Sequence, residues 1–267
     1  MTTLGLVGAG SVASSPFARL PLFLARLGPV KSPSLRVASR IANTLHSGTP
    51  ALTYEALARC RVIFIICPDT QVASLVEEMA ACEMSWKSKS VVVCDTWLDS
   101  SVLAPLAGLG AYTASVCTMD PLSRYCLLEG ERVAVREARR IVDAGTGRSL
   151  VVKRGAKPLI HAALTLCESL LFPLLDGADE CLKLAGVPRP LADSFLEGGA
   201  LRASRMYGKS GRKAWNGPLA SGDAEAIGRQ IEALSLNNPE LSRFFADQCG
   251  LALQYFSRPK SWLPEPF

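Results

Sequence analysis

The sequence predicts an α/β fold: a mostly parallel sheet covered by helices, followed by an all-helical C-terminal domain. Three observations carry this. Short apolar runs alternate with helical stretches through the first 152 residues. Those runs are continuously apolar, as strands covered on both faces must be. From residue 153 onward the strand signal weakens and stops, and only helical patterns follow. The expected domains are therefore 1–152 and 153–267.

In chain order, the strand runs are TLGLVG at the N-terminus, SLRVAS at 34–39, RVIFIIC at 61–67, SVVVCD at 90–95 and AYTASVC at 111–117. RVAV at 132–135 and SLVVK at 149–153 are weaker candidates. Helical segments such as TQVASLVEEMAACEM separate them, so successive strands pair in parallel through right-handed crossovers. Beyond them, KPLIHAALTLCESLLFPLLDGADECLKLAG reads as one long helix, kinked at Pro173 and closed by Gly186 with Pro188 just beyond. Its first half is apolar nearly all round, which predicts a buried helix. VPRPLADSFLEGGALRASRMYG, DAEAIGRQIEAL and ELSRFFADQCGLALQYF supply the other helices.

Of the 267 residues, 49% are hydrophobic, enough for a core without covalent staples. A net charge of +5 and a pI of about 8.8 suit an anionic ligand as well as a polymer. The basic run LRASRMYGKSGRK carries Arg202, Arg205, Lys209, Arg212 and Lys213. It reads first as a solvated face, and otherwise as a surface toward cofactor phosphates or an acidic substrate. Its only neighbouring aromatics are Tyr207 and Trp215, so nucleic acid is not an expected partner. No two of the nine cysteines are three apart, so neither a metal site nor a redox pair is expected. Several lie inside apolar runs and read as reduced, buried thiols, which places the chain in the cytoplasm. No secretory signal and no membrane span are expected, since no uncharged apolar run reaches the ~18 residues a span needs.

The first strand runs into Gly8-Ala9-Gly10-Ser11-Val12-Ala13, a fit to G-x-G-x-x-G/A. The first glycine permits the tight turn, and the second lets a pyrophosphate approach the backbone. Ala13 is small enough for the following helix to pack on the strand. Gly8, Gly10, Ser11 and Val12 are thus candidate dinucleotide-binding residues, and the domain is expected to be Rossmann-like. One feature opposes this: Ser15 followed by Pro16 is itself a helix start, and Pro16 cannot sit comfortably in the second turn of a helix opening at Gly10. NAD-binding units place an acid at the end of the second strand, yet no acidic residue precedes Glu55. Ser39 and Arg40 end the VASR run instead, and a hydroxyl with a guanidinium suits a 2′-phosphate. NADP(H) is the expected cofactor, ahead of NAD or a deazaflavin.

Together these segments resemble the two-domain proteins that join a Rossmann-like NADP-binding domain to a DUF2520 helical domain. Those proteins are relatives of the 6-phosphogluconate dehydrogenase-like, ketopantoate reductase and pyrroline-5-carboxylate reductase enzymes. The resemblance rests on GLVGAGSVA, VASR, IFIICPDTQV, LAPLAGLGAYTASV, KPLIHAAL and, most specifically, NGPLASGDAEAIGRQIEAL. It implies a reductase of a small molecule, with the helical domain closing a cleft and forming a homodimer. The chain departs from the family at CDTWLD, where His-x-Ser-Gly is usual, and at Cys117-Thr118, where His-Pro is usual. Ser221 replaces the arginine of the R-G-D segment, and Glu168 stands in place of an asparagine.

Candidate chemistry centres on Lys157, His161 and Glu168. His161, Thr165 and Glu168 share one helix face at i, i+4 and i+7, and Lys157 lies one turn before His161. A developing alkoxide needs a proton donor and a positive charge nearby. The resemblance gives that donor role to Lys157, with His161 as orienter or alternative acid and Glu168 as their partner. The bland reading makes Lys157 a surface cation and His161 a satisfied core histidine. Pro68 and Asp69 end the third strand run and could border a nicotinamide. Asn216 and Ser221 are candidate substrate contacts, with Asp223 as a helix cap. Two functions stay open: an NADP(H)-dependent reductase of a carbonyl or imine, or a non-catalytic nucleotide-binding or scaffold protein with a degenerate site.

Overall fold

A computed structural model describes residues 3–10, 12–118, 125–145 and 148–257. The chain divides into two compact units, residues 1–163 and 164–267.

In the first unit the described elements run β1 (Leu4–Gly8), α1 (Pro21–Arg26), β2 (Leu27–Lys31), α2 (Leu35–Leu45), β3 (Thr49–Ala51), β4 (Val62–Ile66), α3 (Asp69–Ala81), β5 (Ser90–Cys94), α4 (Ala104–Gly108), β6 (Tyr112–Thr118), β7 (Tyr125–Gly130), α5 (Arg132–Asp143), β8 (Arg148–Val151) and α6 (Lys157–Leu164). The strands form one sheet in the order β3-β2-β1-β4-β5-β6-β7-β8. All neighbours are parallel except β6 and β7. This is the mostly parallel sheet that the apolar runs predict.

Each central strand feeds two cores by alternation. Leu4, Leu6, Phe64, Val92 and Cys94 face the cluster under α2 and α5. Val7, Ile63, Ile65, Val91 and Val93 face the cluster under α3 and α4. Phe17, Phe23 and Phe64 pack ring on ring at 5.0–5.6 Å and anchor the segment after β1.

Two expected strands are helices, and two strands lie elsewhere. SLRVAS is not a strand but the start of α2, because Ser34 caps it by accepting from Val37 N. The buried residues Ala38, Ile41, Ala42 and Leu45 recur at helical spacing. The second strand is LGPVK, whose Gly28 and Pro29 disguise it in sequence. RVAV opens helix α5. The strand YCLLEG of β7 was not foreseen.

The second unit holds α7 (Leu171–Leu184), α8 (Arg189–Ser210), α9 (Pro218–Ser221), α10 (Ala224–Asn237) and α11 (Pro239–Ser257). A π-helical turn, Thr165–Ser169, precedes α7 and closes with a bond from Leu170 N–H to Thr165 O at 2.9 Å. It accommodates Pro173, which has no N–H to give and would press on the carbonyl of Ser169. At Gly177 of α7 an added Cβ would lie 3.2 Å from Phe244 of α11, so the two helices approach closely there. The unit hides little: among its described apolar side chains only Ala192 and Cys249 are buried. The long helix expected to be buried is open instead, with Leu159 75%, Leu166 66% and Phe172 73% exposed.

Candidate active site at the carboxyl edge of the sheet

Strand order reverses between β1 and β4, and ligands of such sheets bind where the order reverses. The glycine turn lies there. Ala9 N–H bonds Ile66 O at 3.0 Å, tying the end of β1 to β4. Gly10 has φ +69°, and a Cβ on it would stand 3.3 Å from Pro68 Cδ. A Cβ on Gly8 would meet Val12 Cγ2 at 2.7 Å, and Val12 is itself buried beneath the turn. Gly10, Pro68 and Asp69 are exposed, and Asp69 opens α3. The structure thus brings Gly8, Gly10, Val12, Pro68 and Asp69 together. Ser11 and the side chain of Ala13 lie outside the described residues.

At the end of β2, Ser32 Oγ donates to Gly8 O at 2.7 Å, locking this strand end to the glycine turn. Lys31 is buried, donates to Ser32 O at 2.8 Å and lies over the Tyr54 ring. Ser34 and the exposed Arg36 follow at the start of α2. Ser39 and Arg40 do not end a strand: they fall in the second turn of α2, with Arg40 exposed. The hydroxyls and guanidinium nearest the strand end are therefore those of Ser32, Ser34 and Arg36.

No regular helix opens at Gly10. Short 3₁₀ turns, Val12–Ser14 and Phe17–Arg19, precede α1. Ser15 Oγ accepts from Ala18 N at 3.0 Å, the capping that Ser15-Pro16 signals in sequence. The same hydroxyl donates to Asp95 Oδ2. Asp95 follows β5 in the left-handed region, φ +53°, and also accepts from Thr118 Oγ1 at 3.1 Å and from the backbone of Phe17. Burial raises its carboxyl above the ordinary range, against those donors and the charge of Lys157. Asp95 thus brings a carboxyl of the protein's own to the turn after β1.

Lys157 is fully buried at the start of α6. Its ammonium donates to Thr96 O at 2.9 Å, Leu98 O at 3.2 Å and Ser115 Oγ at 2.5 Å, and Ser115 Oγ donates to Leu98 O at 2.7 Å. All three ammonium protons are taken, so Lys157 grips the loop after β5. Burial lowers its pKa, while Cys117 and Glu129 counteract. Glu129, also fully buried, holds the same loop from β7 by accepting from Ser100 N at 2.6 Å and Ser100 Oγ at 3.0 Å. Burial raises the Glu129 carboxyl. The loop so braced presents Trp97, whose ring stacks on exposed His161 at 4.7 Å and 12°.

Lys157 and His161 therefore meet one loop, in different ways. Glu168 is not their partner as expected: the Lys157 donors are filled by the loop and β6, and the Glu168 carboxylate makes no hydrogen bond or ion pair among the described residues. The thiols of Cys67 and Cys117, at the ends of β4 and β6, are pushed up to about 11 by burial and stay protonated at neutral pH.

In the second unit, Asn216 lines a cavity with Trp215 and Arg202. Ser221 donates its hydroxyl to Pro218 O at 3.1 Å, and Asp223 caps α10 through Ala226 N at 2.9 Å.

Residues 124–249 match a family model described as a domain of unknown function, DUF2520. That match begins just before β7, so the sheet elements β7, α5 and β8 fall inside the DUF2520 segment. Among solved structures, the fold is shared with an imine reductase variant from Myxococcus stipitatus in complex with NAD+, at TM-score 0.70 and 15% identity over 96% of this chain and 94% of that one. It is also shared with a reductive aminase from Aspergillus terreus in complex with NADPH and ethyl levulinate, at 0.62 and 17% over 96% and 94%. A protein from Thermotoga maritima aligns at 0.64 and 17% over 96% and 98%. At such identities the likeness is one of fold. Comparison with curated proteins by sequence finds no match.

Proposed function

We propose that this DUF2520 protein is an NADP(H)-dependent reductase of a small carbonyl or imine compound. The observation that carries the reading is the glycine turn at the strand-order reversal, locked by Ser32 to a β2 end without an acid. The positive φ of Gly10 and its close approach to Pro68 leave a cradle that a side chain would fill, which fits a dinucleotide. Gly8 and Gly10 would hold its pyrophosphate, and Ser34 and Arg36 a 2′-phosphate. NADP is favoured over NAD because a carboxylate for the ribose hydroxyl is missing from the β2 end. A bound nicotinamide dinucleotide supplies the hydride for such a reduction.

The chain's own residues have separate tasks in this reading. Lys157 and Glu129 fix the loop after β5 from below. His161, exposed and stacked on Trp97, delivers the proton. Replacing it, His161→Asn, should lower turnover while leaving NADPH affinity unchanged. The direct test is loss of nicotinamide absorbance when the protein is mixed with NADPH and a panel of small ketones and cyclic imines. Turnover of any of them supports the reading. Dinucleotide binding with no oxidation across the panel would favour the second reading, a nucleotide-binding or scaffold protein. The absence of a long helix after the glycine turn favours that alternative, since it removes most of the dipole that aids phosphate binding.

We further propose that the protein works as a homodimer in a reducing cytoplasm. All nine cysteines are free thiols. The run Lys157–Leu184 is long and apolar enough to cross a membrane by length and composition, but it carries Glu168, Asp176, Asp179, Glu180 and Lys183. A second copy covers such a face at lower cost than lipid does.

A further inference from the structure

The basic run of α8 borders a cavity of its own. The second unit contains a 420 Å³ cavity between α8, the 3₁₀ turn Gly211–Ala214 and the end of α11. That volume lies within the ~300–1,000 Å³ usual for small-molecule sites.

Its walls are aromatic and basic. Trp215 and Phe256 pack at 4.2 Å with their planes tilted by 41°. Tyr207 and Met206 of α8 face the same space, and Asn216 adds an amide at the rim. The two arginines there are in different states. Arg212 is spent on the protein: its Nη2 donates to Tyr255 O at 3.0 Å and Phe256 O at 2.7 Å, carbonyls that the end of α11 leaves open. Its guanidinium also lies over the Phe256 ring at 4.6 Å. The Arg202 guanidinium makes no hydrogen bond or ion pair among the described residues, and no acidic side chain lines the cavity. One turn earlier on the same helix, Gly199 leaves the wall open, since a Cβ there would meet nothing within 4 Å.

We infer that this cavity binds an aromatic monocarboxylate, its carboxylate on Arg202 and its ring against Trp215 and Tyr207. A single unspent guanidinium pairs with a carboxylate through two parallel bonds. A polyanion such as a nucleotide phosphate calls for several cations, and an apolar wall does not solvate it. The flat, electron-rich rings of Trp215 and Tyr207 favour a planar ligand body over a branched aliphatic one. The site lies within the helical unit, and the inference stands apart from the cofactor reading.

The test is calorimetric titration of the full chain, without dinucleotide, using 2-naphthoate and its neutral counterpart 2-naphthamide. The expected result is saturable 2-naphthoate binding at one site per chain, with 2-naphthamide weaker by about tenfold or more. Arg202→Gln should bring 2-naphthoate down to the level of the amide with an unchanged melting temperature, since Arg202 holds nothing else. Gly199→Leu should abolish binding of both by filling the wall, in a helix that tolerates leucine better than glycine. Equal affinity for acid and amide, undiminished 2-naphthoate binding in Arg202→Gln, or no binding at millimolar concentration would each overturn the assignment.

Discussion

The ammonium of Lys157 lies 2.5 Å from the hydroxyl of Ser115, inside the sheet domain and out of contact with solvent. This pair decides how the most prominent basic residue of the site is read. A proton donor must reach its substrate, whereas a fully buried ammonium with three protein acceptors reaches only the loop it holds.

Lys157→Met is therefore expected to act on stability before chemistry. It keeps the apolar stem and removes the donors of Thr96 O and Leu98 O, at a cost of about 3 kcal/mol. Urea unfolding checks this. A variant of unchanged midpoint that loses only turnover would restore Lys157 to the donor role.

Asp95 gives a pH signature. Its carboxyl is raised by burial, so the folded state holds this proton more tightly than the unfolded chain. Its contribution to stability is present below the ordinary carboxyl range and is lost as pH rises through the raised folded value. The melting temperature of the wild type minus that of Asp95→Asn should therefore fall from about pH 4 upward and then level off. A difference that grows with pH would mean that the donors from Ser15, Thr118 and Phe17 outweigh burial.

The open face of the long helix predicts self-association. Analytical ultracentrifugation should give twice the chain mass of 28.5 kDa. Phe172→Glu, which puts a charge on a side chain 73% exposed in the single chain, should shift the mass toward the monomer. A monomeric wild type would leave the exposed leucines without this explanation.

Much of this was legible in sequence, and the failures have definite causes. The strands at 62–66 and 90–94 were visible because both faces are covered and their runs are almost wholly apolar, while that at 112–118 was legible despite the buried Thr113 and Ser115 within it. The second strand was hidden by Gly28 and Pro29, while SLRVAS, rich in β-formers, belongs to a helix capped by Ser34. That one misreading placed the expected phosphate contacts at Ser39 and Arg40, whereas the residues that open α2 after the true strand end are Ser34 and Arg36. The glycine turn and the disruptive effect of Pro16 were both readable locally. Asp95 was only half readable: a carboxylate directly after a buried strand marks the ligand edge, but its bond to Ser15, eighty positions away, depends on the fold. The burial of Lys157 likewise arises from a loop and a strand roughly 40–60 positions distant, which helical periodicity cannot reveal.

A dinucleotide seated at the Gly8–Gly10 turn would carry its 2′-phosphate to the start of α2. The measurement that tests it most directly is a titration of the protein with NADPH and with NADH, followed by nucleotide fluorescence, in the wild type, Arg36→Ala and Arg40→Ala. The expected result is saturable NADPH binding, weaker NADH binding, a loss of about tenfold for NADPH in Arg36→Ala and little change in Arg40→Ala. Binding of neither nucleotide by the wild type would contradict it.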